Sequence, residues 1–571
     1  MITSQWRKLA SSASLWLFLA IVGFLFVAPV AMLVIGIFWS APPGMPGQWT
    51  LATLVQTFAD RATYVAFGNS LFFATTTTLL ATALGAVFAF LSTRTTIALR
   101  GMLTPVMMLL FAAPNLFYAI SWGLLADPNA GLLNDALRLA TGWDVSPFNA
   151  YSWPGLIVVQ TLKLTGFCYL LLLAPFKGMN RSLEEASLIA GAGRLATLLR
   201  INLPLMTPAL LGIFIIGMVF GLGAFDVPQI LGGLPQISVL STEVFRAVNF
   251  TVPPDYARAS ALSLFMIGAL VILLAVQWRV VRAGRFVTIT GKSNSHDRWN
   301  IGRWSWLANA AVGVFAFVAL VLPVSQLIVA SFQPALGLYS FTTRNFEEVL
   351  GDRQTLSAFR MTAELAILAG FLAMGVATIA AHTGRRSSHL VERYLDTATL
   401  LPIVMPGVVL AIGLMWVYVS TPGLRTLYAT YWLALIGLVV VVMPIASRAV
   451  RGAIAQIAKE LEEAAAVSGA SSVRIFVDIV MRLMSRSFLT GWLVTSVIAA
   501  GSLDVPLMLL PSARPNVAVL VYSHIIAGIP AQASALLVLL LAAIAGLALA
   551  FALVGAVSMR ARLPATPVAA Q

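Results

Sequence analysis

About twelve runs of roughly twenty or more mostly apolar residues punctuate this chain, and no other feature narrows its possible folds so far. They lie near 15–39, 68–92, 101–125, 154–176, 205–232 and 259–281, then near 306–331, 357–381, 397–419, 429–447, 487–510 and 535–558. A hydrocarbon core of about 30 Å takes roughly this length of helix to cross. Barrel strands alternate polar and apolar residues over about ten positions, and these runs do not. In lipid every backbone N–H and C=O must find a partner within the segment, so uniform runs of this length fold as helices. The chain is 60% hydrophobic and only 10% charged, far from the balance of a soluble domain. The expected fold is an all-α integral membrane protein with about twelve transmembrane helices. The first run follows Arg7-Lys8 but is too long for the apolar core of a signal peptide. It also lacks a clear small-x-small cleavage site, so it reads as a retained anchor.

With the amino terminus placed inside, most of the 35 Lys and Arg fall on one side of the membrane. That set includes Arg94, Arg100, Lys177, Arg181, Arg194, Arg200, the cluster from Arg279 to Arg303, Arg385, Arg386, Arg448, Arg451 and Arg560. The positive-inside rule makes that side cytoplasmic and puts both termini there. The net charge of +14 is therefore a topological signature. It is spread over many short loops instead of one basic face, so nucleic acid is not an expected partner.

The chain repeats itself. Asp60-Arg61 and Ala66-Phe67 match Asp352-Arg353 and Ala358-Phe359, and Pro114 matches Pro406, all 292 residues on. Glu185-Ala186-Ser187-Leu188-Ile189-Ala190-Gly191 returns as Glu463-Ala464-Ala465-Ala466-Val467-Ser468-Gly469, 278 residues on. Asp226-Val227-Pro228 returns at that same spacing as Asp504-Val505-Pro506. The first half thus carries about 14 extra residues, most naturally in the external loop 127–154 with its turn-forming Asp127-Pro128-Asn129. Six spans per half is an even number, so the two repeats run parallel, with a pathway expected where they meet. The expected domains are residues 1–287, a cytoplasmic linker at 288–304, and residues 305–571.

The repeated loop has its own physics. Ser182-Leu183-Glu184-Glu185 has the spacing of a capping box, and Gly191 is suited to end a short helix. The second copy lacks the capping serine. A short helix with small residues on its face makes a good knob for a groove on another protein.

Glu-Ala-Ala followed by glycine six positions after the glutamate resembles the signature loop of the permease subunits of binding-protein-dependent type I ABC importers. The chain resembles their fused, two-domain members, whose relatives carry ferric iron, thiamine, polyamines, phosphonates or phosphorylated sugars. The stretches Arg285–Lys292 and Ile301–Trp304 are similar to the linkers of ferric-iron-type fused permeases. The resemblance implies that each half is a permease domain of that fold. It implies that Glu185, Ala186 and Gly191, with Glu463, Ala464 and Gly469, belong to coupling helices seated on two copies of a cytoplasmic ABC ATPase. It implies a periplasmic substrate-binding protein and residence in a bacterial inner membrane. The family's loop usually ends in proline, present as Pro204 in the first copy and replaced by Arg482 in the second. A different entry into the second span is expected there.

No nucleotide site is apparent. Gly291-Lys292-Ser293 resembles the tail of a phosphate-binding loop, but Phe286 stands where its first glycine is required. ATP hydrolysis is therefore expected on a separate subunit. No catalytic residues, cofactor or metal site are expected in this chain.

Charges inside the membrane cost about 3 kcal/mol or more each at its centre and so mark candidate pathway residues. Asp226 and Asp504 are repeat mates at the outer ends of their spans. They read either as paired carboxylates at the pathway mouth or as solvated turn formers. Lys163 and Glu364 lie deeper, where they either pair with each other or line a cavity. Pro29 and Pro323 are expected to kink the first span of each half. Cys168 is expected to be packing, and the four histidines have no metal-ligand spacing. The cargo reading that follows from the linker and the aspartates is ferric iron. Thiamine, a polyamine or an organophosphonate is the alternative within the class, and an ion-driven 6+6 secondary transporter is the alternative outside it.

Overall fold

The computed structural model describes residues 13–142, 144–179, 182–283 and 298–560. The linker at 288–304 lies outside the described residues as far as 297, as do Arg285–Lys292 and Gly291-Lys292-Ser293. The described residues are overwhelmingly helical. Among the described residues ten helices are long and apolar enough to cross a membrane, or up to twelve if each of two sharply bent pairs counts as one span.

The first half comprises α1 (Ala13–Ile37), α2 (Ala52–Ala59), α3 (Arg61–Arg94), α4 (Arg100–Ala112), α5 (Asn115–Leu125) and α6 (Leu132–Thr141). It continues with α7 (Trp153–Gly178), α8 (Ser182–Ile189), α9 (Leu198–Leu222), α10 (Asp226–Leu231), α11 (Leu240–Asn249) and α12 (Tyr256–Ala283). The second half repeats the series: α13 (Gly302–Ser331), α14 (Arg344–Gly351), α15 (Arg353–Arg386), α16 (His389–Val404) and α17 (Gly407–Ser420). Then come α18 (Tyr431–Ile454), α19 (Lys459–Val467), α20 (Ser472–Ala500), α21 (Asp504–Leu509), α22 (Val517–Ile526) and α23 (Pro530–Arg560).

The repeat seen in the sequence is a repeat of local physics. Asp60 caps α3 by accepting from the Ala62 N–H, and Asp352 caps α15 by accepting from the N–H groups of Gln354 and Thr355. Both helices then run for 34 residues. The extra residues of the first half build α6, which has no counterpart between α17 and α18 apart from a 3₁₀ turn, Arg425–Leu427. Tyr339 of the second half donates a 2.6 Å hydrogen bond to Asp135 on this inserted helix. Burial, then the Asp135 carboxylate, pushes that phenol up to about 12.

The expected kinks are π-helical turns, Gly23–Val27 ahead of Pro29 and Phe317–Val321 ahead of Pro323. Proline lacks an N–H and crowds the preceding carbonyl, so the ladder widens by one residue there. Similar turns open α9 at Leu198–Asn202 and α20 at Phe476–Met481. The second forms with Arg482 where the first has Pro204, so the different entry expected from that substitution does not occur.

The runs at 101–125 and 397–419 are not straight spans. α4 and α5 meet at 98°, and α16 and α17 at 117°. Pro114 and Pro406 sit at the breaks in extended conformation, which stops one helix and starts the next. Within each half, α3 packs on α7 and α9, as α15 packs on α18 and α20. Between halves the first spans are exchanged: α1 lies against α17 as well as α12, and α13 against α5 as well as α23. One buried interface therefore joins the halves into a single body. Trp416 of α17 donates to Ser260 of α12 across it at 2.9 Å.

Candidate functional site

The repeated loops form the short helices α8 and α19, each ended in the same way. Gly191 and Gly469 have φ of +83°, where only glycine is unstrained. The N–H of Gly191 donates to Leu188 O and that of Ala192 to Ser187 O, both at 3.0 Å. Gly469 and Ala470 donate to Ala466 O and Ala465 O at the same distances. This is the Schellman ending in both copies. The second copy begins at Ala458 with no side-chain cap, as the missing serine led us to expect.

Glu185, Ala186, Glu463 and Ala464 are exposed. The residues that seat the helices are their neighbours, Glu184 and Glu462, which sequence reasoning missed. Arg94, at the end of α3, lies 3.3 Å from Glu184, and both side chains are 4% exposed. The same guanidinium donates to Phe176 O at 2.8 Å and Met179 O at 2.6 Å, the free carbonyls at the end of α7. In the second half Arg385 pairs with Glu462 and donates to Ile454 O at 3.2 Å and Ile457 O at 3.0 Å. Those carbonyls are the repeat mates of Phe176 and Met179. The available signal was the glutamate doublet together with an arginine ending the second span of each half.

Each knob is thus clamped by a buried ion pair to two spans of its own half and presents its far side outward. Ile189 is 87% exposed and Val467, its repeat mate, 90%. The described end of the linker joins the first clamp. The Trp299 N–H donates to Arg94 O at 2.8 Å, Thr96 N–H donates to Trp299 O at 3.2 Å, and the Trp299 ring stands edge-on to Phe90.

The other candidate residues converge where the two breaks meet. Asp226 opens α10 and Asp504 opens α21, positions where a helix dipole favours an acid. Both are half-buried, which argues against free solvation. A Cβ on Gly501 would stand 2.7 Å from Pro114, and one on Gly223 would stand 3.3 Å from Pro406. The proline break of each half therefore leans on the glycine that precedes the other half's aspartate. The two carboxylates are brought close enough for their charges to act on each other.

Within its own half Asp226 has the Asn115 side chain beside it, while its Oδ1 is buried with no partner among the described residues. Asp504 accepts from the Ser502 hydroxyl at 2.8 Å and the Val505 N–H at 2.9 Å. Its other oxygen lies against Gly407, where any Cβ would overlap it.

Lys163 joins this cluster and Glu364 does not. The Lys163 ammonium is buried beside Asp226 and donates to the carbonyls of Leu110, Phe111 (3.0 Å) and Ala113. These are the groups that the break after α4 leaves without helical partners. In the second half Val441 stands in its place, and α16 closes on itself with a 3₁₀ turn, Leu401–Val404. Glu364 is 44% exposed and paired with Arg360 one turn away, because this stripe of α15 faces outward. The pairing of Lys163 with Glu364 envisaged from the sequence is absent. Cys168 is fully buried, 3.7 Å from the Thr82 hydroxyl, where α3 and α7 touch. Among the described residues no group of three His, Cys, Asp or Glu could hold a metal ion.

Comparison with known proteins adds a consistent picture. The family described as the inner membrane component of binding-protein-dependent transport systems matches residues 81–283 and again 369–563, one copy in each half. A probable ABC transporter permease of Sinorhizobium fredii is 28% identical over 331 residues, covering 56% of this chain and 57% of the relative. A putative ferric transport system permease of Haemophilus influenzae is 26% identical over 497 residues, 86% of this chain and 76% of the relative. A trehalose/maltose transport system permease of Thermococcus litoralis is 30% identical over 192 residues, 33% of this chain and 63% of the relative. The chain therefore spans little more than half the length of the first of these relatives.

Proposed function

We propose, for a chain that belongs to the binding-protein-dependent transport system inner membrane component family and is a fused two-domain permease of an ABC importer, that α8 and α19 couple its pathway to two copies of a separate ATPase. The observation that carries this reading is the pair of matched knobs. Each ends in a left-handed glycine, exposes an apolar tip, and is held from behind by a buried Arg–Glu pair. A helix clamped at its back and bare at its front transmits force to the spans that clamp it. Movement of α8 is felt by α3 and α7, and movement of α19 by α15 and α18.

On this reading α8 and α19 face the cytoplasm of a bacterium whose inner membrane holds the protein. A substrate-binding protein delivers cargo to the opposite face. ATP binding draws the ATPases together and favours the outward-open pathway; hydrolysis restores the inward-open one. ATP biases this equilibrium only through its different affinity for the two states. Cargo passes between the halves, where Pro114, Pro406, Asp226 and Asp504 meet. The long match to a ferric permease supports iron as the metal carried, and the paired carboxylates suit a cationic or metal-bearing cargo.

The test is purification of the tagged chain in mild detergent, followed by native mass spectrometry and an ATPase assay. Two ATPase copies per chain, lost when Ile189 and Val467 are replaced by aspartate, is the expected result. A partner-free chain under several detergents would overturn it.

A further inference from the structure

The two halves share a backbone plan but not the chemistry of the surface around the break. On α5, Asn115, Tyr118 and Trp122 fall on one helical stripe, three and four residues apart. Their repeat mates on α17 are Gly407, Leu410 and Leu414. On α7, Thr161 and Lys163 have as mates Val439 and Val441 on α18. The register is secure because α7 and α18 begin at matching residues, Trp153 and Tyr431, and α5 and α17 at Asn115 and Gly407.

Three of these first-half groups are buried and unsatisfied. Tyr118 is 0% exposed, Thr161 5% and Trp122 7%, and none of Tyr118 Oη, Thr161 Oγ1 and Trp122 Nε1 has a hydrogen-bond partner among the described residues. α5 and α7 touch each other, and both touch α10, which carries Asp226 with its own unpartnered Oδ1. A buried polar group without a partner is destabilising relative to an apolar group of the same shape. The second half shows that leucine, leucine and valine serve the same backbone at these stations. The fold therefore does not require the phenol, the indole N–H or the hydroxyl.

We infer that the first half alone carries a cargo-contacting site, formed by Asn115, Tyr118, Trp122, Thr161, Lys163 and Asp226, which takes a molecule presenting hydroxyl or carboxylate oxygens. This deepens the importer reading and rests on it. The indole N–H, phenol and Thr161 hydroxyl are free to donate, so they suit oxygen acceptors, while the Lys163 ammonium, spent on three backbone carbonyls, contributes charge only. Asp226 Oδ1 accepts, so it suits a hydroxyl. An indole N–H and an ammonium are not metal ligands, so a metal crossing here travels inside an oxygen shell supplied by its carrier. The second half supplies an apolar wall, and a one-sided site fixes how an unsymmetrical cargo turns as it passes.

The test uses the whole importer, permease with its ATPase and binding protein, in proteoliposomes. Radiolabelled ferric citrate and glycerol 3-phosphate are the two probes, one a metal in an oxygen shell and the other a metal-free polyol. The double variant Tyr118→Phe/Thr161→Val removes two of the three orphan groups with little change of shape, which Trp122→Phe would not do at a site 7% exposed. It should melt at or above the temperature of the unaltered protein and hydrolyse ATP at the basal rate, yet lose uptake of the transported probe at least tenfold. Gly375→Ala in the second half, where a Cβ meets nothing within 4 Å, should keep uptake within twofold.

Uptake retained by the double variant overturns the inference, as does a loss of uptake matched by a fall in melting temperature, which marks the groups as structural. Failure of an ATP-hydrolysing importer to carry either probe overturns the oxygen-bearing class. A preparation that neither binds an ATPase nor hydrolyses ATP instead overturns the importer reading itself.

Discussion

The guanidinium of Arg94 stands 3.3 Å from the carboxylate of Glu184, each side chain 4% exposed, and so fastens a surface helix to the end of a membrane span. Two further hydrogen bonds from the same guanidinium close the end of α7. Removing one member of a buried pair leaves the other charged and unpaired, at a cost of about 3–5 kcal/mol. Arg94→Ala should lower the melting temperature of the purified protein markedly, and the double variant Arg94→Ala/Glu184→Ala should recover part of the loss. Strictly additive effects of the two single changes would show that the pair is not coupled. Arg385 and Glu462 should behave in the same way.

Gly191 and Gly469 are exposed and meet nothing within 4 Å at the Cβ position, so a larger side chain there does not clash. The penalty comes from the backbone, since a φ of +83° costs a β-branched residue on the order of 1–2 kcal/mol. Gly191→Val and Gly469→Val should keep the chain in the membrane but distort the ends of α8 and α19. Uptake should fall at least tenfold, with a smaller change in thermal stability. Normal uptake would count against the coupling role.

Gly407 lies so close to Asp504 that a single methyl group displaces the carboxylate. Gly407→Ala should cost about 1–3 kcal/mol through overpacking and reduce transport more than Gly375→Ala, at a site where a Cβ meets nothing within 4 Å. Parallel measurement of thermal unfolding and uptake in the two variants decides the point. Equal behaviour would remove Gly407 from the centre of the pathway.

Asp226 and Asp504 come from opposite halves and act on each other's charge, so neutralising one relieves repulsion as well as removing charge. Asp226→Asn and Asp504→Asn singly should reduce uptake of a cationic or metal-bearing cargo several-fold, and together by more. Melting temperature should hold or rise. Unchanged kinetics in the double variant would reduce both residues to helix starters.

Sequence alone determined the parts of this protein that depend on composition and local period. Length and apolarity make the spans, because lipid leaves the backbone no other way to satisfy its N–H and C=O groups. Asp60 and Asp352 start their helices, Gly191 and Gly469 end theirs, and Pro29 and Pro323 widen the ladder, all through atoms within a turn or two. The offset of the two repeats even located the extra residues that fold as α6. Tertiary structure decided what depends on groups distant in the chain. Pro114 was visible, but that Lys163, 49 residues away, holds the carbonyls stranded at the 98° turn was not. Glu184 and Glu185 are indistinguishable as letters; only packing against Arg94 buries one and leaves the other in solvent. Glu364 was as good a pathway candidate as Asp226 until α15 turned its stripe outward. A charge declares its cost in the sequence, but its partner is chosen by the fold, because the ion pairs and helix ends that satisfy it are assembled from different helices.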